Sequence, residues 1–300
     1  MEHSMLFFLK TAPKATLTFT LLSAVLLISS SSSAAKSAKS DPARLDSNHV
    51  ISMDKMDKHN PIIATEEQNG WGNILKKYTK SGPDNLVRFD YGALNSSPQD
   101  MIKLAAYIEM LSVQKPSTFE REKAVVYWAN LYNAVTVLVV TENYPVSSIL
   151  KIRSGIRPGP WKRKLVNVEG QKLSLDNIEH DIMRPQFKAS LVHYMVNCAS
   201  IGCPNLKPTP WRVENLEFEL DRAARGYINS SRGVQIKDGK VAASKIYKWY
   251  KQDFGGNQTG VLEHVRQYAN PELLAALKGK TRIKSYIYDW NINNKQTAAP

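Results

Sequence analysis

The chain has 300 residues, of which 43% are hydrophobic, and 40 lysines and arginines against 27 acids give it a formal net charge of +13. That is enough apolar material for a sizeable core, and after the first thirty-five residues no uninterrupted apolar run is long enough to cross a bilayer. The positive balance suits anionic lipid or acidic polysaccharide, while a solvated basic surface explains it equally well.

Residues 1–35 read as a secretory signal. A start carrying Lys10 and Lys14 precedes an apolar run from Leu17 to Ile28, and small residues Ser29 to Ala35 follow. Twelve helical residues reach only about 18 Å, too short to span the bilayer. Cleavage is expected after Ala34 or Ala35, leaving a net charge of +12 on a chain exported to the periplasm or beyond. Residues 36–65 are polar and aperiodic and read as a disordered lead-in. A single α+β domain is expected over 66–293, with 294–300 a tail.

Within that domain a short helix is expected over Trp71 to Lys80. Ser97 and Pro98 open another, with Met101, Leu104, Ala105, Ile108 and Leu111 at helical spacing. Ser117 and Glu120 have the spacing of a capping box. They would start a helix running to about Thr141 that is apolar almost all round, hence central and buried. The loop Lys151 to Lys164 holds six basic residues and no acid. Its Arg157, Lys162 and Arg163 are candidate anion contacts, and its Trp161 could stack or insert. The partner expected outside the cytoplasm is an anionic polysaccharide or a membrane surface; nucleic acid is not expected.

Glu169-Gly170 and Asp238-Gly239 each sit between β-forming runs and predict hairpins. Ser174 caps a short helix, Leu175 to Met183, bounded by Pro185. Leu191 to Asn197 is short, apolar and rich in β formers, and predicts a buried strand. A helix is expected over Pro210 to Ile228, two or three short ones over Lys245 to Leu277, and a final strand over Arg282 to Trp290. Without a βαβ rhythm the class is α+β, a buried helix on a mainly antiparallel sheet.

Reactive side chains concentrate in one stretch. Cys198 and Cys203, the chain's two cysteines, follow the run that carries His193, and Glu179-His180 sits on the helix before it. Three chemistries fit. An oxidising compartment favours a Cys198–Cys203 disulfide, worth about 2 kcal/mol for so short a loop. Alternatively Cys198 is a nucleophile, with His193 or His180 as base and Glu179 or Asp289 orienting it. On a regular strand His193 and Cys198 would face opposite ways, so that pairing requires a bend near Asn197. Asn197 or Asn133 could polarise a substrate carbonyl. Zinc would accept His180, His193, Cys198 and Cys203 as ligands, but their spacing fits no familiar zinc motif, and no metal or cofactor is assigned. Asn130 and Asn133, inside the apolar helix, either bond to backbone or line a cleft.

Five segments together carry a family resemblance: YWANLYNA (Tyr127 to Ala134), LSLDNIEHDIMR (Leu173 to Arg184), HYMVNCASIGCP (His193 to Pro204), IYKWYKQDFG (Ile246 to Gly255) and YDWN (Tyr288 to Asn291). The chain resembles the uncharacterised family numbered 547 among the domains of unknown function, over a core of about residues 120–255. That pattern includes Glu179, His180, His193, Cys198 and Cys203. By analogy it implies a papain- or transglutaminase-type arrangement with a Cys–His pair between a buried helix and a sheet. Transglutaminases start the buried helix with the nucleophile, and the helix here has no cysteine there, so such a site needs His193 ahead of Cys198. The expected activity is a Cys–His centred hydrolase or acyl transferase. The alternatives are a binding module stapled by Cys198–Cys203 and a thiol–disulfide exchanger.

Overall fold

The central element is a helix that the sequence makes apolar on every side. In the computed structural model, which describes residues 61–295, it is α4 (Arg121–Glu142), and sixteen of its 22 residues are buried. By length and composition alone it could cross a membrane, but 94% of its most apolar window is covered by the rest of the protein. Each large side chain it buries contributes about 1.5–3 kcal/mol of transfer free energy. The expected signal segment 1–35, residues 36–60 of the expected lead-in and residues 296–300 of the expected tail lie outside the described residues.

The elements N-terminal to it are α1 (Pro61–Tyr78), the antiparallel pair β1 (Thr79–Ser81) and β2 (Val87–Phe89), α2 (Tyr91–Asn95) and α3 (Pro98–Ser112). α1 starts well ahead of the expected Trp71. α3 opens at Pro98 and buries Leu104, Ile108 and Leu111, as their spacing requires. The capping box does not form. Glu120 takes the N-cap position of α4 without a side-chain bond. The Ser117 hydroxyl instead donates to Glu169, on the turn of a distant hairpin, and the Ser117 N–H reaches the same carboxylate at 3.2 Å. A tertiary acceptor has outcompeted the local one.

That hairpin is β3 (Val166–Val168) with β4 (Gln171–Leu173), and both its turn residues have positive φ, Glu169 at 51° and Gly170 at 79°. A widened helical turn follows, a π-helix over Asn177–Met183 that runs into α5 (Arg184–Gln186). Ser174 caps it, its hydroxyl accepting the Asn177 N–H at 3.2 Å. The expected stop at Pro185 is passed because the register is already shifted there: the Arg184 N–H bonds back five residues, to the Glu179 carbonyl.

Residues expected to be a strand form helix α6 (Ala189–Met195). A seven-residue apolar run has no periodicity that separates a buried strand from a buried helix. Packing decides: Leu191, Val192, Tyr194 and Met195 all enter the core. α7 (Leu216–Ile228) starts later than the predicted Pro210, and Val213 is left exposed. The second hairpin, β5 (Val234–Lys237) with β6 (Lys240–Ser244), turns through Asp238 and Gly239, again both at positive φ. After α8 (Ile246–Trp249), α9 (Gln258–Tyr268) and α10 (Pro271–Ala276), β7 (Ile283–Ile287) adds to β6 in parallel, giving the sheet order β5-β6-β7. The fold is α+β with small, mainly antiparallel sheets. α4 packs chiefly against α2, α3 and the π-helix.

Candidate functional site

The two asparagines of α4 explain how the cysteine segment is held. Asn133 donates its amide to the Met195 carbonyl and accepts the Asn197 N–H, both at 2.9 Å. Asn130 makes the same two-way clasp on Trp211, donating to its carbonyl and accepting its N–H at 3.0 Å. Each side chain therefore substitutes for a strand partner inside an apolar core, where an unpaired backbone group costs about 1–3 kcal/mol. Both bond to backbone, and neither lines the cavity described below.

The chain then turns sharply. Ala199 adopts φ 60°, a left-handed conformation costly for an L-residue. The Asn197 carboxamide oxygen accepts its N–H at 2.8 Å, and its carbonyl accepts the Asn293 N–H at 3.0 Å. Asn197 also donates to the Pro204 carbonyl. Its side chain is thus turned into the loop and away from the cavity, which corrects its expected role as a polarising donor. Gly202 lies so close to the Tyr288 ring and the Asp289 backbone that a Cβ would meet both at 2.9 Å. Tyr227 donates to the Gly202 carbonyl at 2.7 Å, and the Arg232 guanidinium bonds the Ile201 and Cys203 carbonyls.

This framework presents Cys198 to a cavity of about 250 Å³ that Glu179, His180, His193 and Cys203 also line. Cys198 is partly exposed and Cys203 is buried; both are free thiols, with their sulfurs 2.7 Å apart. The Cys198 Sγ also meets the Ser200 hydroxyl at 3.1 Å and the Tyr288 hydroxyl at 3.2 Å. Burial alone would push the Cys198 thiol up. Hydrogen bonds from Cys203, Ser200 and Tyr288 outweigh it and bring the thiol down to about 7. Burial, and the neighbouring Cys198 sulfur, hold Cys203 well above the ordinary thiol value.

His193 is not the partner of Cys198. Its Nε2 lies 2.7 Å from an Asp253 carboxylate oxygen and its Nδ1 3.4 Å from Glu179, and the ring stacks on Tyr250 at 4.2 Å. Burial would favour the neutral ring, but hydrogen bonds to Asp253 and then Glu179 overcome it and raise the pKa. The carboxylates respond in turn. Burial opposes their charge, while His193, with Arg184 on Asp253 and Tyr132 on Glu179, holds both below the usual range. Arg184 pairs with Asp253 through two nitrogens, at 2.6 and 2.9 Å. The result is a buried, charge-compensated cluster of two acids, an imidazole and a guanidinium.

His180 is more open, with 30% of its side chain exposed. Its Nδ1 is 3.3 Å from the Arg184 guanidinium and its Nε2 3.9 Å from Asp176. The expected orienting role of Asp289 is not realised, because its carboxylate accepts the Asn291 N–H. The zinc-type residues do not converge either: among the described residues no group of three His, Cys, Asp or Glu side chains is arranged to hold a metal ion. Arg157, Lys162 and Arg163 stand exposed on their loop, and Trp161 of that loop packs on Trp290 and lines the cavity.

Residues 116–228 match the family described as "Protein of unknown function, DUF547". The chain carries a DUF547 domain. No curated protein and no solved structure matches the chain. The DUF547 match begins close to the expected residue 120 and stops short of 255. It therefore contains Glu179, His193 and both cysteines, while Asp253 and Tyr288 reach the same site from beyond it. Those two contacts were missed from sequence. Their only trace was membership of the resembling segments IYKWYKQDFG and YDWN.

Proposed function

We propose that the cavity is a thiol active site in which Cys198 attacks and Cys203 resolves, carrying out thiol–disulfide exchange. The observation that carries this reading is the 2.7 Å approach of a partly exposed thiol and a buried one at a cavity wall. A disulfide bond is about 2.05 Å long, so a small movement joins them. The Cys198 thiolate attacks a substrate disulfide, forming a mixed disulfide and releasing one thiolate. Cys203 then attacks the Cys198 sulfur, its proton passing to the second leaving thiolate. The dithiol supplies two electrons and the substrate disulfide becomes two thiols. The four residues between the cysteines differ from the usual two, yet contact of the sulfurs matters more than spacing. In this reading a Cys198–Cys203 disulfide is the oxidised form of the site and not a structural staple.

The test is trapping by mass spectrometry with a small aromatic disulfide. Wild type should convert to the intramolecular disulfide, C203S should stop at a stable mixed disulfide, and C198S should not react. Equal mixed-disulfide yields from C198S and C203S would refute the assignment.

A second reading, a hydrolase or acyl transferase using the same nucleophile, draws support from the histidines and Glu179 that share the cavity. Because His193 faces a carboxylate at each nitrogen, the base in that reading is His180. A Cys198-dependent burst of product from an activated ester, followed by turnover, would favour it; a stoichiometric burst without turnover would count against it.

Export is part of the proposal, since an oxidising compartment supplies disulfide substrates. The loop that carries the exposed Arg157, Lys162 and Arg163 has a tip residue, Ile156, that is 94% exposed, which suits an anionic membrane surface. Unchanged sedimentation with anionic vesicles after neutralising those three charges would refute that part.

A further inference from the structure

The basic character of the chain stops at the cavity. Among the described residues no lysine or arginine lines it; its charged lining there is Asp176 and Glu179, with His180 and His193 beside them. Glu179 is engaged by His193. Asp176 is less committed: the imidazole of His180 lies 3.9 Å away, and Lys162 acts on it from farther off. Three of the chain's six tryptophans, Trp161, Trp249 and Trp290, stand in the same wall together with Tyr288. Their rings form one unbroken surface: Trp249 to Tyr288 is 4.8 Å, Tyr288 to Trp290 4.6 Å and Trp290 to Trp161 5.9 Å between centroids. The Asp176 N–H donates to the Trp161 carbonyl at 3.0 Å, which ties the Asp176 backbone to that of the aromatic wall, and both residues line the cavity.

Aromatic faces with a carboxylate at their edge attract cations, through the ring quadrupole and through charge. We propose that the cavity selects substrates carrying an ammonium or similar cationic group next to the reacting atom. The inference rests on Cys198 being the reactive thiol at this cavity, and adds the substrate class. A cation seated against the wall lies over Trp249 and Trp290 with Asp176 as counter-charge, and the Tyr288 hydroxyl belongs both to this wall and to the Cys198 sulfur. A sulfonate or carboxylate at the same place would meet Asp176, Glu179 and the thiolate.

Two measurements separate this proposal from the thiol reading. In the first, Cys198 is modified by methanethiosulfonates bearing trimethylammonium or sulfonate heads, each rate being divided by that reagent's rate with free cysteine. The cationic reagent should be favoured about tenfold, and D176N or W249A should shrink the ratio. In the second, C198S is titrated with choline and with its neutral isostere 3,3-dimethylbutanol, followed by tryptophan fluorescence. Choline should saturate and the isostere should bind more weakly. Equal binding of the two, or preference for the sulfonate reagent, overturns the proposal. If Cys198 resists every reagent while C198S still selects choline, the thiol reading fails and the cation site stands.

Discussion

The asparagine clasps make a quantitative prediction about how the core holds the cysteine loop. Replacing Asn133 with alanine removes two hydrogen bonds but leaves unequal debris. The Asn197 N–H loses its acceptor, whereas the Met195 carbonyl still receives the Trp211 indole N–H at 3.0 Å. One orphaned buried donor costs about 1–3 kcal/mol, with little added for the carbonyl. Replacing Asn130 strips both the N–H and the carbonyl of Trp211, neither of which has another bond among the described residues, and should cost about 2–4 kcal/mol. Urea unfolding followed by tryptophan fluorescence should therefore rank N130A below N133A in stability. Thiol reactivity should rank them oppositely, because Asn197 directly precedes Cys198, whereas the hydrogen bonds of Trp211 go to Asn130 and Met195. The pH midpoint of iodoacetamide alkylation reads that second effect. A cost under about 0.5 kcal/mol for N133A, or equal alkylation midpoints in the two variants, would refute the reasoning.

The buried ion cluster predicts a stability optimum on the acid side of neutrality. The raised pKa of His193 gives stability that is complete below its ordinary value of 6.5 and is lost as pH rises through the folded value. The depressed Asp253 and Glu179 give stability that is complete above 3.8 and 4.5 and is lost as pH falls through their folded values. The cluster thus contributes most between about 4.5 and 6.5, and H193Q should flatten the alkaline limb of a plot of urea midpoint against pH; an unchanged limb would remove His193 as its source. Y288F takes a hydroxyl donor from the Cys198 sulfur and should raise the thiol pKa, read by thiolate absorbance near 240 nm. A midpoint identical to wild type would mean that Tyr288 does not stabilise the thiolate. S117A should destabilise by about 0.5–1.5 kcal/mol through the lost tie to Glu169, and E169Q should show whether the charge matters. Equal stability of S117A and wild type would restore the local cap as the better account.

Features written in contiguous residues were legible. Glu169-Gly170 and Asp238-Gly239 specify positive φ at two successive positions, which few other pairs tolerate, so their hairpins follow from local sterics. The all-round apolar run of α4 demanded burial whatever surrounded it. The density of reactive side chains around Cys198 marked the candidate site. What the side chains do there was settled by packing. Sequence order pairs His193 with Cys198, five residues away, but α6 is a helix and turns the ring toward Asp253, sixty residues on. The sulfur of Cys198 finds its hydroxyl partner ninety residues away, in Tyr288. Backbone preference and apolar periodicity act between neighbours and can be read from order alone. Which distant acid or hydroxyl reaches a given ring or sulfur depends on how the helices stack, and only the tertiary structure fixes that.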